Sequence, residues 1–426
     1  MLEENVLAEK PTRRRFFMIF VLFIGIAVAF VDRVNVSILA ANDPFLVEMG
    51  IKGQTVQIGL MMSSFLAVYG LANITLAPLG DLIGPRKMMC ICVILMLISI
   101  FVSSLATTFM MLIIGRMLLG IGEGMYYPQQ SVYVRHWIPF QERGRANASW
   151  IIGQSVAPAI AMPLLAAIIA HYGWRANFYL CFVLTLIPLW LFWFHTTDRP
   201  QESKKVNKAE LAHIEAGMEE KQASVNVKEK LSLIHRLKLI SKNPHYWFLV
   251  VWYMCLQFNY WGLVSWIPAY LKVAKGFSWA EMGWIASLPF IVNIFTKAIN
   301  GLINDKIGRC APLLLVSMIL GTSFMYTTTV IPGKYPSAIC LAFAVGFNSM
   351  ATSSAWTLLQ GLVPSRVLST AGGTMNGIST GFSALSPVII GFFISLFGSY
   401  DSGLYCLVAA GMLGVCMASF LTIKKY

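Results

Sequence analysis

Long apolar runs separated by short polar breaks dominate the chain. A bilayer core about 30 Å thick is crossed by roughly 20 mostly apolar helical residues. By that rule about twelve runs qualify, at 16–41, 58–79, 88–107, 110–132, 147–170, 176–195, 246–271, 279–303, 311–331, 337–359, 368–396 and 402–423. One long polar stretch, rich in lysine and glutamate, interrupts the series after the sixth run. The pattern predicts an all-α membrane protein of about twelve transmembrane helices in two pseudo-symmetric six-helix bundles. The divisions are 1–195, a solvated and partly helical linker at 196–245, and 246–426. The first run is too long and too polar at its centre for a signal peptide, so it is expected to remain in the membrane.

Composition supports this reading. Of 426 residues, 57% are hydrophobic and 12% charged, and the mean hydropathy is +0.68. The net charge of +13 would suit a nucleic-acid partner, but its placement follows topology instead. "PTRRRFF", "GPRK", "QERGR", the linker and the final "KK" are basic while the alternate loops are poor in lysine and arginine. By the positive-inside rule both termini and the linker are cytoplasmic. The eight cysteines show no paired ligand spacing and no histidine lies mid-span beside a second ligand-type residue, so neither a metal nor a cofactor is expected.

Four charges sit deep in apolar runs: Asp32 and Arg33 in the first, Arg116 and Glu123 in the fourth. Each costs roughly 2.5–3.5 kcal/mol on insertion scales, and such groups face a bundle interior or a water-filled cavity. Arg116 and Glu123 project from one helix face about 10 Å apart, too far for a firm pair, so each needs a partner elsewhere. Asp32 and Arg33 point about 100° apart and can serve different neighbours. Interhelical ion pairs that only fix packing would account for them, but apolar packing usually serves stability as well. A carboxylate with a movable arginine partner can load and release a proton, and the forked guanidinium suits carboxylate recognition. With both carboxyls protonated the region carries two positive charges and becomes an anion site.

The halves echo each other: "GDLIGPRK" at 80–87 is matched by "NDKIGRC" at 304–310, pairing Asp81 with Asp305. With "GRMLLGIGEG" in the fourth span, these loops resemble the major facilitator superfamily. "DRVNVS" in the first span is similar to its anion:cation symporter family, which includes bacterial sugar-acid carriers. The resemblance implies proton-coupling roles for Asp32 and Glu123. It implies substrate contacts at Arg33, Tyr69, Arg116, Gln154, Ser353, Trp356 and Asn376, and a gating loop with Asp81, Arg86 and Asp305. Phe30 stands where sugar-acid members often carry a tyrosine.

Other signals are weaker. Gln257, Asn259 and Tyr260, followed by Trp261, surround a glycine in the seventh span and are candidate cavity residues. The glycines of "GIGEG" suggest close helix contact rather than a phosphate loop, and Lys297 is placed near the end of the eighth span, where its stem can snorkel. No nucleophile–base cluster suggests an enzyme. The expected function is a proton-coupled symporter, a functional monomer, importing a small organic carboxylate by alternating access, with an aldonate, aldarate or hexuronate favoured. Sodium coupling, or phosphate or an aromatic acid as cargo, is the alternative. A cationic-drug antiporter would lack the deep arginines. The short first external loop lacks a glycosylation acceptor, which favours a bacterial inner membrane.

Overall fold

The computed structural model describes residues 10–76, 79–139, 142–222, 233–364 and 367–424. These are almost entirely helical, with no strand among them. The first half supplies α1 (Arg14–Leu39), α2 (Thr55–Thr75), α3 (Pro85–Ser104), α4 (Phe109–Trp137), α5 (Arg145–Tyr172) and α6 (Trp174–His195). The second supplies α7 (Pro244–Ala269), then α8 (Trp279–Asn304), α9 (Ala311–Val330), α10 (Lys334–Leu362), α11 (Thr370–Phe397) and α12 (Tyr400–Ile423). Eleven of these helices are long and apolar enough to cross a membrane. This agrees with the expectation of about twelve; the twelfth helix, α7, has 26 residues but is diluted by Gln257, Asn259, Tyr260 and Trp261.

Helices are the economical answer in lipid because every backbone group is satisfied within its own segment. Their ends are marked by local chemistry. The Thr108 hydroxyl accepts from the Met111 amide before α4, Asn243 accepts from the His245 and Tyr246 amides before α7, and Ser278 with Glu281 forms a capping box at the start of α8. These caps occupy amides the helix itself cannot use. The equivalent helices α5 and α11 are both interrupted, at Ile152 and Ala384, an internal symmetry of the kind repeat-built transporters carry.

Buried apolar side chains show how the halves meet. One cluster joins both bundles, running from Val34, Phe45 and Met62 through Trp174 to Trp266, Phe290 and Leu407. It fills the end of the molecule remote from the termini, called here the distal end. At the opposite, terminal end the core divides into one cluster almost wholly in the first bundle, around Met89 and Trp137, and another in the second bundle with Ile240 of the linker, around Trp252 and Leu359.

Polar contacts reinforce the distal seam. The Thr55 hydroxyl donates to the Gly391 carbonyl at 2.6 Å, the Trp279 indole donates to the Ala166 carbonyl at 2.7 Å, and Lys272 lies 3.5 Å from Asp43. Two glycines permit the approach of α2 and α11: a Cβ on Gly59 would stand 2.4 Å from the Pro387 carbonyl oxygen, and one on Gly391 2.3 Å from that of Thr55. In lipid such close van der Waals packing replaces the hydrophobic drive between helices.

The linker docks rather than floats. Its helix Lys208–Gln222 delivers the fully buried Glu210 to the amides of Arg14 and Arg15 at 2.9 and 3.0 Å and to the Thr12 hydroxyl. A carboxylate there caps α1 and complements its dipole. Burial alone would push the Glu210 carboxyl up, but the Thr12 hydroxyl, these amides and the Arg15 guanidinium hold it below the usual range. Glu142 accepts from Arg15 at 2.9 Å and contacts His213 at 3.0 Å. Hydrogen bonding from Arg15 lowers its carboxyl. Both depressed carboxyls stabilise docking above their unfolded range, and that contribution is lost as pH falls through the folded one.

Gly59→Val is expected to pry the distal ends apart. With spin labels at the exposed positions Val47 and Val273, pulsed electron resonance should give a longer distance distribution in the variant than in the parent. An unchanged distribution would mean that the α2–α11 contact does not hold the distal seam.

Candidate functional site

The site begins with the glycines of α4. A Cβ on Gly120 would meet the Phe65 carbonyl oxygen at 2.7 Å and one on Gly124 the Tyr69 carbonyl oxygen at 2.5 Å, while Gly122 faces the Cys92 carbonyl on α3 at 3.0 Å. Bare backbone on both faces lets α4 sit between α2 and α3, and it carries Glu123 into the bundle core at 1% exposure. There Glu123 Oε2 accepts from Arg33 Nε of α1, a buried ion pair. Glu123 Oε1 has no partner among the described residues.

Arg33 is enclosed by aromatic faces. Its guanidinium carbon lies 4.4 Å from the Phe30 ring centroid, 5.0 Å from Tyr69, 5.3 Å from Phe65 and 5.3 Å from Trp261. The first three belong to the first bundle, but Trp261 comes from α7, so the cation touches both halves. Ring faces attract a desolvated guanidinium by about 2 kcal/mol or more. The Phe30 ring completes this cage at 6.4 Å from Trp261.

Asp32 points elsewhere, as adjacent helical residues must. It helps line a small void with Asn35 of α1, Ser99 and Ser103 of α3, Arg116 of α4 and Phe178 of α6, all in the first bundle. Asp32 is 4% exposed, and its Oδ2 has no partner among the described residues, nor has Arg116 Nε. Arg116 also sits 4.8 Å from the Phe65 ring centroid. Adjacent on α1, Asn35 accepts from Asn177 at 3.1 Å. The four deep charges thus divide into one closed pair, Arg33 with Glu123, and two groups, Asp32 and Arg116, that share a void without an ion pair within 4 Å among the described residues.

The remaining candidates spread over both bundles. Tyr69 belongs to the cage, and Gln154 is half-buried on α5. Ser353 on α10 accepts from Asn300 Nδ2 at 3.1 Å. Trp356 stands edge-on to Tyr253 at 6.1 Å, and Asn376 is half-buried on α11. On α7, Gln257 and Tyr260 are half-buried, whereas Asn259 is fully buried with neither amide atom partnered among the described residues. Arg86 ties the α2–α3 loop to the end of α6. Its amide donates to Asp198 Oδ1 at 2.8 Å, and its guanidinium donates to the Phe192 and Trp193 carbonyls, where a cation suits a helix C-terminus. The side chains of Asp81 and Asp305 lie outside the described set.

Sequence reasoning missed a polar seam between α8 and α10. Asn293 accepts from Ser349 at 2.8 Å, Asn300 donates to Ser354 at 2.9 Å, and Ser354 donates to Asn304 at 3.2 Å. The seven-residue spacing of Asn293 and Asn300 was the available signal, since it places both on one helix face.

With this geometry in hand, known proteins offer a comparison. The model of the family described as Major Facilitator Superfamily matches residues 22–391. A protein named "Probable sulfoacetate transporter SauU" from Cupriavidus necator is 27% identical over 93% of this chain and 91% of its own length. One named "Probable L-galactonate transporter" from Escherichia coli (strain K12) is 25% identical over 92% and 86%. Among solved structures, a bacterial homologue of the human lysosomal transporter Spinster, inward-facing and occupied, aligns with a TM-score of 0.76 at 17% identity over 98% of both chains.

Gly124→Val should drive α4 away from α2 and strain the Arg33–Glu123 pair, at an overpacking cost of about 1–3 kcal/mol. Thermal unfolding in detergent is expected to show a lower Tm, while Gly373→Ala, where a Cβ meets nothing within 4 Å, leaves it unchanged. Equal Tm values for Gly124→Val and the parent would contradict the packing argument.

Proposed function

The chain belongs to the major facilitator superfamily, a transporter and not an enzyme, and from that premise we propose that it is a proton-coupled symporter for a small organic carboxylate. The observation that carries this reading is the Arg33–Glu123 pair inside a cage shared by both bundles. A permanently charged guanidinium held by a titratable carboxylate is an anion site with a built-in competitor. When Glu123 is ionised it occupies Arg33. When it is protonated, Arg33 is released to an incoming carboxylate, which it can grip through two parallel hydrogen bonds. A proton and an anion therefore enter together, and their charges cancel within the low-dielectric bundle.

Relatives named for sulfoacetate and L-galactonate support an organic acid as cargo and fit the anion:cation symporter branch. An aldonate, aldarate or hexuronate is the favoured class. Tyr69, Gln154, Ser353, Trp356 and Asn376, with Gln257, Asn259 and Tyr260, supply hydroxyl, amide and ring faces of the kind a polyol acid requires. Asp32 is assigned the second protonation site, reached through the polar void it shares with Arg116 rather than by direct pairing.

The distal seam and divided terminal core support a state open toward the termini. With the basic loops on that side, it faces the cytoplasm of a bacterial inner membrane. Return to the opposite state requires the distal contacts to part and the Arg86 loop to rearrange, a rocking of one bundle against the other.

Proteoliposomes under an inward proton gradient test the reading. The parent should accumulate a labelled sugar acid such as D-gluconate or D-glucarate against its gradient. Glu123→Gln and Asp32→Asn should each abolish accumulation, while Glu123→Gln still binds with weakened pH dependence between about pH 5 and 8, because its amide cannot ionise. Accumulation by both variants at the parental level would make the two carboxyls structural. A strict sodium requirement without proton dependence would replace the coupling ion.

Arg116→Lys is expected to lose most transport although it keeps the charge, since an ammonium cannot reproduce forked geometry. Uptake and affinity near those of the parent would remove Arg116 from the site.

A further inference from the structure

Across α7–α12 only Glu281, Lys297, Lys334 and Asp401 are charged. Three of them stand in the first turns of their helices, and these have partners: Lys334 bonds Glu281 at 3.3 Å, and Asp401 accepts from Tyr270 at 2.9 Å. Lys297 is different. It sits at the middle of the unbroken helix Leu288–Ile307, nine residues from one end and ten from the other. The membrane span itself is Trp279–Asn304, so Lys297 lies seven residues before its end, near where the sequence places it. It has no hydrogen bond or ion pair among the described residues.

Its surroundings are polar and open. Asn293, Asn300 and Asn304 stand four residues before it and three and seven after, hence on its own helix face. This face carries the seam to Ser349, Ser353 and Ser354, while Phe295, Ile299 and Leu302 are exposed on the opposite face. Asn293 Nδ2 and Asn300 Oδ1 are buried without partners among the described residues, and a Cβ on nearby Gly301 would meet nothing within 4 Å. A half-buried cation bordered by unspent amide groups and open space lacks only its counter-charge.

We propose that Lys297 is the second cationic contact of the transport site and that the cargo is a dianion, with one acidic group held by the arginines of the first bundle and the other by Lys297 of the second. This rests on the organic-anion reading above and narrows it to dicarboxylates and sulfonated carboxylates. The charge arithmetic is the reason. A monoanion entering with its proton satisfies the first bundle and leaves the Lys297 ammonium uncompensated, whereas a dianion neutralises both. A rigid dianion held at one end by α1 and α4 and at the other by α8 also ties the two bundles together, so occupancy itself draws their terminal ends toward closure. The asparagine and serine groups beside Lys297 then receive the remaining oxygens of the distant acid group.

The test uses matched acids that differ by one charge: D-glucarate with D-gluconate, and sulfoacetate with methylsulfonylacetate. Affinities are measured calorimetrically on the purified full chain, parent and variant. The parent is expected to prefer the dianion of at least one pair by about tenfold or more, the usual scale of a charged hydrogen bond. Lys297→Met should lower dianion affinity about 10–100-fold while monoanion affinity stays within about twofold, and Lys297→Arg should retain most of the preference. Retained monoanion binding shows that the variant is folded. Equal losses for both members of a pair, or no loss for the dianion, would overturn the proposal by making Lys297 structural or idle. A parent that binds the monoanions better would overturn it while leaving the organic-anion reading intact. If the parent binds none of the four, both readings fall.

Discussion

The buried ion pair between Arg33 and Glu123 sets conditions that much of the first bundle is built to meet. A carboxylate and a guanidinium taken out of water cost several kcal/mol each, recovered only when they meet closely and the cation is otherwise solvated. The bare backbone at Gly120, Gly122 and Gly124 supplies the approach. The rings of Phe30, Phe65, Tyr69 and Trp261 supply the solvation. Removing one partner from such a pair costs about 3–5 kcal/mol, so the pair opens readily only when something replaces what it loses. On the proposed reading, a proton on Glu123 together with an anion on Arg33 does this without leaving a bare charge.

The cage also connects chemistry to movement. Trp261 is the second bundle's contribution to the Arg33 environment, and it lies between the fused distal core and the divided terminal core. Whatever occupies Arg33 is therefore sensed at the interface about which the halves would pivot. The distal seam depends on backbone-to-backbone packing at Gly59 and Gly391 with a few hydrogen bonds across it, a joint that can part without exposing a buried charge. The linker helix, by contrast, is tied to α1 by the buried carboxylate of Glu210.

The architecture was legible because lipid imposes a simple rule: apolar runs of spanning length become helices. The deep charges were equally visible, since an ionised group in such a run stands out against its neighbours, and the divergent directions of Asp32 and Arg33 followed from helical geometry alone. The partners were not. That Arg33 closes on Glu123 while Asp32 and Arg116 share a void depends on the rotation of α1 against α3, α4 and α6, which no local pattern encodes. Trp261 was visible as a candidate cavity residue, but its contact with Arg33 exists only across the two bundles. The α8 asparagines read as ordinary polar interruptions until α10 brought its serines against them.

The central claim is that a proton on Glu123 and a carboxylate on Arg33 replace one another's partner, so that binding one requires the other. Linkage makes this measurable without transport, because an anion whose binding frees Glu123 must bring a proton with it. Calorimetric titration of the tightest-binding acid in buffers of different ionisation enthalpy counts protons taken up per anion bound. The account predicts net proton uptake by the parent near neutral pH and a smaller uptake in Glu123→Gln. Anion binding with no proton exchange in the parent, or with the same exchange in parent and variant, would contradict it.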